Sequence, residues 1–263
     1  MKKSLFGLIP LFVLGACYFP VVVEGESGDD FAMPAVTQGD NIIHYDAYSV
    51  CYNQKTLIPD WTAYELTADE TSGSQPRQEG FEQDPDLVGP QADNRDYTRS
   101  GYDRGHMTPA GDMKWDEQAM KECFYFTNAC PQNHTLNKYS WNYLEQAVRD
   151  WADEFGRVWV VTGPIIGENV NGTVGKGHVV VPDAFFKAVL VSKEGSYHAI
   201  AFVMENSGKR QPWRDCSVSI NTLEEILGFD LYPALPDDVE ELIEEQNDPL
   251  FWPDLYRENK YED

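Results

Sequence analysis

Gly101-Tyr102-Asp103-Arg104-Gly105-His106 sets an imidazole directly behind a compact Asp-Arg-Gly turn. Further along the chain, Leu136-Asn137 is followed by Trp141, Leu144-Glu145 and Arg149. Histidine titrates near neutral pH, so His106 suits a general base that takes a proton from water. Mg²⁺ prefers oxygen ligands and keeps several of its waters. One asparagine carbonyl, Asn137, can therefore anchor it while a phosphate supplies further oxygens. Arginine forks clamp phosphate. A base, an anchored cation and phosphate-binding arginines are what hydrolysis of a phosphodiester requires. Glu145 stands two helical turns beyond Asn137. It either orients a metal-bound water or is a solvated acid on a helix surface. Arg149 follows it at i+4, the spacing of an ion pair.

These side chains need elements to carry them. Trp141, Leu144, Ala147, Val148, Trp151, Ala152 and Phe155 mark one apolar face at helical spacing, and Gly156 closes that helix. Two strands are expected over 41–67, then a long ordered loop from 68 to 98, a short helix over 116–123 and a strand over 124–127. Residues 128–138, with Pro131, read as a loop. Arg157–Thr162, Val179–Val181, Ala184–Val191 and Tyr197–Met204 read as strands, the last two forming a hairpin across Lys193-Glu194-Gly195-Ser196. Ser219–Leu227 and Asp237–Glu245 read as helices. No break in composition divides the chain, so one α+β domain is expected.

The whole sequence bounds these readings. Its 263 residues are 42% hydrophobic, enough for a substantial core, and its net charge is −24. The segment 237–263 holds eleven acidic and two basic residues. A tight non-specific nucleic-acid binder usually presents basic surface, so any such binding must come from a local basic cleft and a divalent cation. Lys2-Lys3 and the apolar run Leu5–Ala16 form a targeting segment too short to span a bilayer as a mature helix. Leu14-Gly15-Ala16-Cys17 resembles a bacterial lipoprotein signal, in which Cys17 is lipidated and becomes the N-terminus. The alternative is an ordinary secretory signal. Either reading exports the protein, and lipidation would place it on the outer membrane or cell surface. Cys51, Cys123, Cys130 and Cys216 then remain, either bridged (Cys123–Cys130 being the local pair) or as free thiols.

Tyr102-Asp103-Arg104-Gly105-His106-Met107-Thr108-Pro109 resembles the signature of the DNA/RNA non-specific endonuclease family. Its second block follows in order as Thr127-Asn128, Pro131-Gln132, Leu136-Asn137, Trp141 and Leu144-Glu145. The resemblance covers roughly 40–235. It implies a ββα-metal (His-Me finger) nuclease with a central antiparallel sheet flanked by helices. It implies His106 as general base, Asn137 as the direct protein ligand of Mg²⁺ or Mn²⁺, and Glu145 as the acid beside the metal waters. Arg149 matches a helix arginine near the site, Arg77 an upstream arginine that contacts phosphate, and Asn128 and Gln132 polar residues lining the site. Arg104 reads as a structural turn residue with Asp103 as its companion, and His134 as a surface residue.

The expected organisation is a signal peptide over 1–16, a tether over 17–40, a nuclease domain over 41–236 and an acidic extension over 237–263 with an unknown protein partner. The expected activity is metal-dependent cleavage of DNA, with RNA as a second substrate, leaving 5′-phosphates. The rival is a catalytically weak or inactive binding protein anchored to the envelope on the same scaffold, favoured by the acidity.

Overall fold

The computed structural model describes residues 31–167 and 171–254. The expected signal segment, Cys17 and most of the expected tether lie outside these residues. Within them the strands are β1 (Ile42–His44), β2 (Ser49–Asn53), β3 (Ile58–Thr67), β4 (Asp103–His106), β5 (Ala129–Gln132), β6 (Arg157–Ile165), β7 (Thr173–Val174), β8 (Val179–Val180), β9 (Ala184–Lys193), β10 (Ser196–Glu205) and β11 (Ser217–Val218). The helices are α1 (Ala68–Thr71), α2 (Asn94–Tyr97), α3 (Glu117–Glu122), α4 (Asn142–Phe155), α5 (Ile220–Leu227) and α6 (Asp237–Glu244).

Seven strands form one antiparallel sheet in the order β1-β2-β3-β6-β9-β10-β11. Its central strands are almost continuously apolar because both faces are covered. On β9, Phe185, Val189 and Val191 join the core beneath α4, with Leu144, Val148 and Trp151. The alternate residues Phe186, Ala188 and Leu190 join a second core with Ile220 and Leu223 of α5 and Val239 and Ile243 of α6. This is the α+β, ββα-metal architecture: a central antiparallel sheet flanked by helices, with the β4–β5 ribbon and α4 carrying the site.

Several local expectations shift. The first strand region holds three strands: the run expected as one strand turns at 45–48 into the antiparallel pair β1 and β2, and β3 starts at Ile58 and takes in Pro59, with a register shift at Cys51/Tyr52. The strand expected at 124–127 is instead a 3₁₀ turn over Phe126–Asn128, and the strand follows as β5. Pro131 is tolerated there because β5 belongs to a two-stranded ribbon, where a missing ladder donor is easily accommodated. The four cysteines Cys51, Cys123, Cys130 and Cys216 are free thiols, so no bridge is formed.

Both ends of the folded body reach beyond 41–236. Phe31, within the stretch read as tether, is buried against Trp159 and Tyr197 at 5.3 and 5.6 Å between ring centroids. In the acidic extension, Trp252 is buried against Trp151 at 4.7 Å, and Trp151 Nε1 donates to the Pro253 carbonyl at 2.8 Å. The described part of the extension, 237–254, therefore packs: Val239, Ile243 and Trp252 are buried, and most of its acids face water.

Candidate active site

In the β4–β5 ribbon, Asp103 faces Gln132, Gly105 faces Cys130 and His106 faces Ala129. The expected Asp-Arg-Gly turn is part of strand β4, and its glycine has a steric cause. A Cβ on Gly105 would stand 2.2 Å from Gln132 Oε1 and 2.6 Å from Gln132 Cβ, so only glycine lets the Gln132 side chain lie across β4. The chain enters α4 through a π-helical stretch, Leu136–Trp141, which carries Asn137; such widened turns recur at functional sites.

The two elements meet at a pocket of about 630 Å³ lined by Arg77, His106, Lys114, Asn137, Lys138, Glu145 and Arg149, with the loops 74–76 and 109–111. Five residues singled out from sequence, His106, Asn137, Glu145, Arg77 and Arg149, thus share one cavity. Its lining holds four cationic side chains and a single acidic one. The local basic cleft that a chain of net charge −24 would need is therefore present.

His106 is 7% exposed and packs against the rings of Phe81 and Phe124, at 4.5 and 4.7 Å between centroids. Burial, helped by the Arg77 charge, pulls its pKa down to about 3. The imidazole is neutral at pH 7, and its buried Nε2 has no protein partner. A neutral imidazole with a free nitrogen can accept a proton.

Asn137 Nδ2 donates to Asp103 Oδ2 at 3.0 Å. A carboxylate only accepts, so this bond fixes the orientation of the amide and leaves its carbonyl oxygen for other partners. His134 Nδ1 lies 2.9 Å from the same Asp103 oxygen. Asp103 is therefore not the companion of Arg104. Arg104 turns away, donating to the Asn94 carbonyl at 3.1 Å with its guanidinium 5.3 Å from the Tyr97 ring centroid.

Glu145 is not a solvated surface acid. Desolvation pushes its carboxyl pKa up, opposed chiefly by the charges of Lys187 and Arg149. The close ion pair expected between Glu145 and Arg149 is not formed. Arg149 NH1 instead meets Asp112 Oδ1 at 2.5 Å, and Asp112, with no solvent exposure, also accepts from Tyr64 OH at 2.8 Å. Gly111 permits this approach, since a Cβ there would lie 2.7 Å from Arg149 NH1. Arg77 is exposed, with its guanidinium 4.9 Å from the Phe124 ring centroid.

Asn128 and Gln132 do not line the pocket. Both are fully buried behind it. Asn128 Oδ1 accepts from the Thr108 amide at 2.8 Å, and Nδ2 donates to the carbonyls of Thr108 and Cys123 at 2.9 and 2.8 Å. It clamps the chain just after His106 and cannot reach a substrate. Gln132 packs beneath Gly105. Asp103, Asp112, Lys114 and Lys138 join the site beyond the residues first singled out. Asp103 stood inside the motif, whereas Asp112 carries no spacing signal that would tie it to Arg149.

The model of the DNA/RNA non-specific endonuclease family matches residues 26–238. Nuclease EXOG, mitochondrial, of Danio rerio is 36% identical over 209 residues, covering 73% of this chain and 60% of that protein. The chain thus spans about 60% of the length of that relative. Nuclease C1 of Cunninghamella echinulata var. echinulata is 31% identical over 74% of this chain and 84% of its own. Among solved structures, a chain from the crystal structure of the EndoG/EndoGI complex superposes with a TM-score of 0.72 at 27% identity, covering 80% of this chain and 91% of that one. With the family's two motif blocks facing each other across one basic pocket, the chain belongs to the DNA/RNA non-specific endonuclease family.

Proposed function

We propose that the protein is a metal-dependent endonuclease that hydrolyses phosphodiester bonds of DNA and RNA at this pocket. The observation that carries the reading is the convergence of a neutral, unpartnered His106 with Asn137, Glu145 and two arginines in one cationic cavity. His106 takes the proton of the attacking water. Arg77, exposed at the rim, binds the phosphate as a fork, and Lys114 and Lys138 draw the backbone in. Arg149 adds positive charge at the wall while its pairing with Asp112 keeps it in place.

The donor set suits a hard cation such as Mg²⁺ or Mn²⁺, because Asn137 offers a carbonyl oxygen whose orientation Asp103 fixes, and Glu145 offers a carboxylate. When bound, the cation supplies neutralisation of charge on the phosphate and on the leaving oxygen. Asn137 would hold it and Glu145 would orient its waters.

A plasmid-nicking assay tests the reading. Wild-type protein should nick supercoiled DNA with Mg²⁺, lose that activity in excess chelator, and lose it in His106→Ala. Equal nicking by His106→Ala sinks the base assignment, and equal nicking in chelator sinks the metal assignment. RNA run in parallel decides whether both polymers are substrates.

Export and anchoring through Cys17 rest on the sequence of the N-terminal segment. Radiolabelled palmitate should enter the wild-type protein in a bacterial host and not Cys17→Ser; equal labelling of both refutes the anchor.

A further inference from the structure

Among the described residues, Lys187 is the one lysine in the middle of the sheet. It has no solvent exposure, and its Nζ has no hydrogen-bond partner. Its neighbours two residues away on β9, Phe185 and Val189, belong to the core beneath α4, so its side chain enters the same layer. There the ammonium stands 4.9 Å from the ring centroid of Trp141. Trp141 and Glu145 are four residues apart on a continuous helical path and so share a face.

The sheet beneath is polar along one line. Lys187 is in register with Thr162, and Thr162 with Thr62, each fully buried. Thr108 Oγ1 donates to Thr62 Oγ1 at 3.0 Å, two residues beyond His106. A row of buried polar groups thus runs across three strands under the site and ends at Lys187. The charges acting on Lys187 are Glu145 first, then Asp112 and Arg149. Burial pulls its pKa down from the ordinary lysine range and Glu145 opposes that, just as Lys187 is the largest charge opposing the desolvation of Glu145.

A lone buried ammonium is costly, and an apolar residue of similar volume commonly does as well or better for stability alone. A lysine here therefore calls for a role that methionine could not fill. We infer that Lys187 is a positioning residue of Glu145: the ammonium, seated against the Trp141 ring beneath α4 one helical turn before Glu145, attracts the carboxylate without touching it and so sets its orientation at the pocket wall. This rests on the nuclease reading for its consequence, since Lys187 itself touches neither substrate nor metal. Asn137 keeps its own support from Asp103, so loss of Lys187 should act on turnover and leave substrate binding nearly intact.

The test is a double-mutant cycle of Lys187→Met and Glu145→Gln in the full-length protein, read by kcat, KM and thermal midpoint. Lys187→Met should lower kcat by about tenfold or more with KM within about twofold, the scale expected when a group that orients an active-site ligand is lost. In the Glu145→Gln background the same change should have almost no further effect on kcat. Unchanged kcat in Lys187→Met, or an equal fold-loss in both backgrounds, overturns the proposal. If the wild type cleaves neither DNA nor RNA, the nuclease reading fails and the thermal cycle decides the coupling. Midpoint shifts that depart from additivity by more than about 2 °C support the pairing, and additive shifts overturn it.

Discussion

Arg149→Met removes the cation from a carboxylate that water cannot reach. Asp112 has no side-chain exposure and holds two partners, Tyr64 OH at 2.8 Å and Arg149 NH1 at 2.5 Å. Breaking a buried ion pair from one side typically costs about 3–5 kcal/mol, because the remaining charge stays desolvated. Two features place this pair at the lower end. The Arg149 side chain is 21% exposed, so water partly screens it, and the tyrosine bond survives. About 3 kcal/mol is therefore expected. For a domain of this size each kcal/mol moves the midpoint by about 2–4 °C, giving a fall of about 6–12 °C by calorimetry or circular dichroism. The double variant Asp112→Asn, Arg149→Met should recover at least half of that, since the orphaned charge is gone. A fall below about 3 °C, or no recovery in the double variant, would refute the pairing argument. A normal melt with lost nuclease activity would mean that Arg149 serves substrate rather than Asp112.

Three further outcomes are expected. Asp103→Ala frees the Asn137 amide, so Mn²⁺ affinity measured by titration should weaken by about 10–100-fold while the fold persists; unchanged affinity removes Asp103 from its orienting role. Gly105→Ala forces Gln132 aside from a contact of 2.2 Å and should destabilise by about 1–3 kcal/mol in urea, so a variant as stable as wild type would contradict the close approach. His106 is held neutral down to about pH 3, whereas in the unfolded chain it protonates near its ordinary value of about 6.5. The unfolded state therefore binds an extra proton between these values. Wild-type stability should fall as pH drops from about 6.5 to 3, by on the order of 4 kcal/mol more than in His106→Asn. Parallel stability curves for the two proteins would show that His106 is not held neutral by the fold.

The reactive residues were legible in the sequence because their relations are local. Asp103 to His106 are consecutive, and Asn137, Glu145 and Arg149 ride one helical path whose apolar stripe is plain in the chain. The stripe records which face is buried, and that fixes α4 and most sheet strands. It does not record what a buried polar group meets. Glu145 and Arg149 stand at ideal spacing for each other, yet Arg149 turns to Asp112 in a loop, because a fully desolvated carboxylate needs that charge more than a pocket-facing one does. Asn128 and Gln132 share the motif's second block with Asn137, but the pleat of β5 and the turn before it direct them inward. Lys187 is visible in the sequence only as a charge interrupting an apolar strand. That it meets the Trp141 ring follows only from α4 lying across β9, since contacts between distant segments follow from packing in three dimensions and leave no periodicity in one.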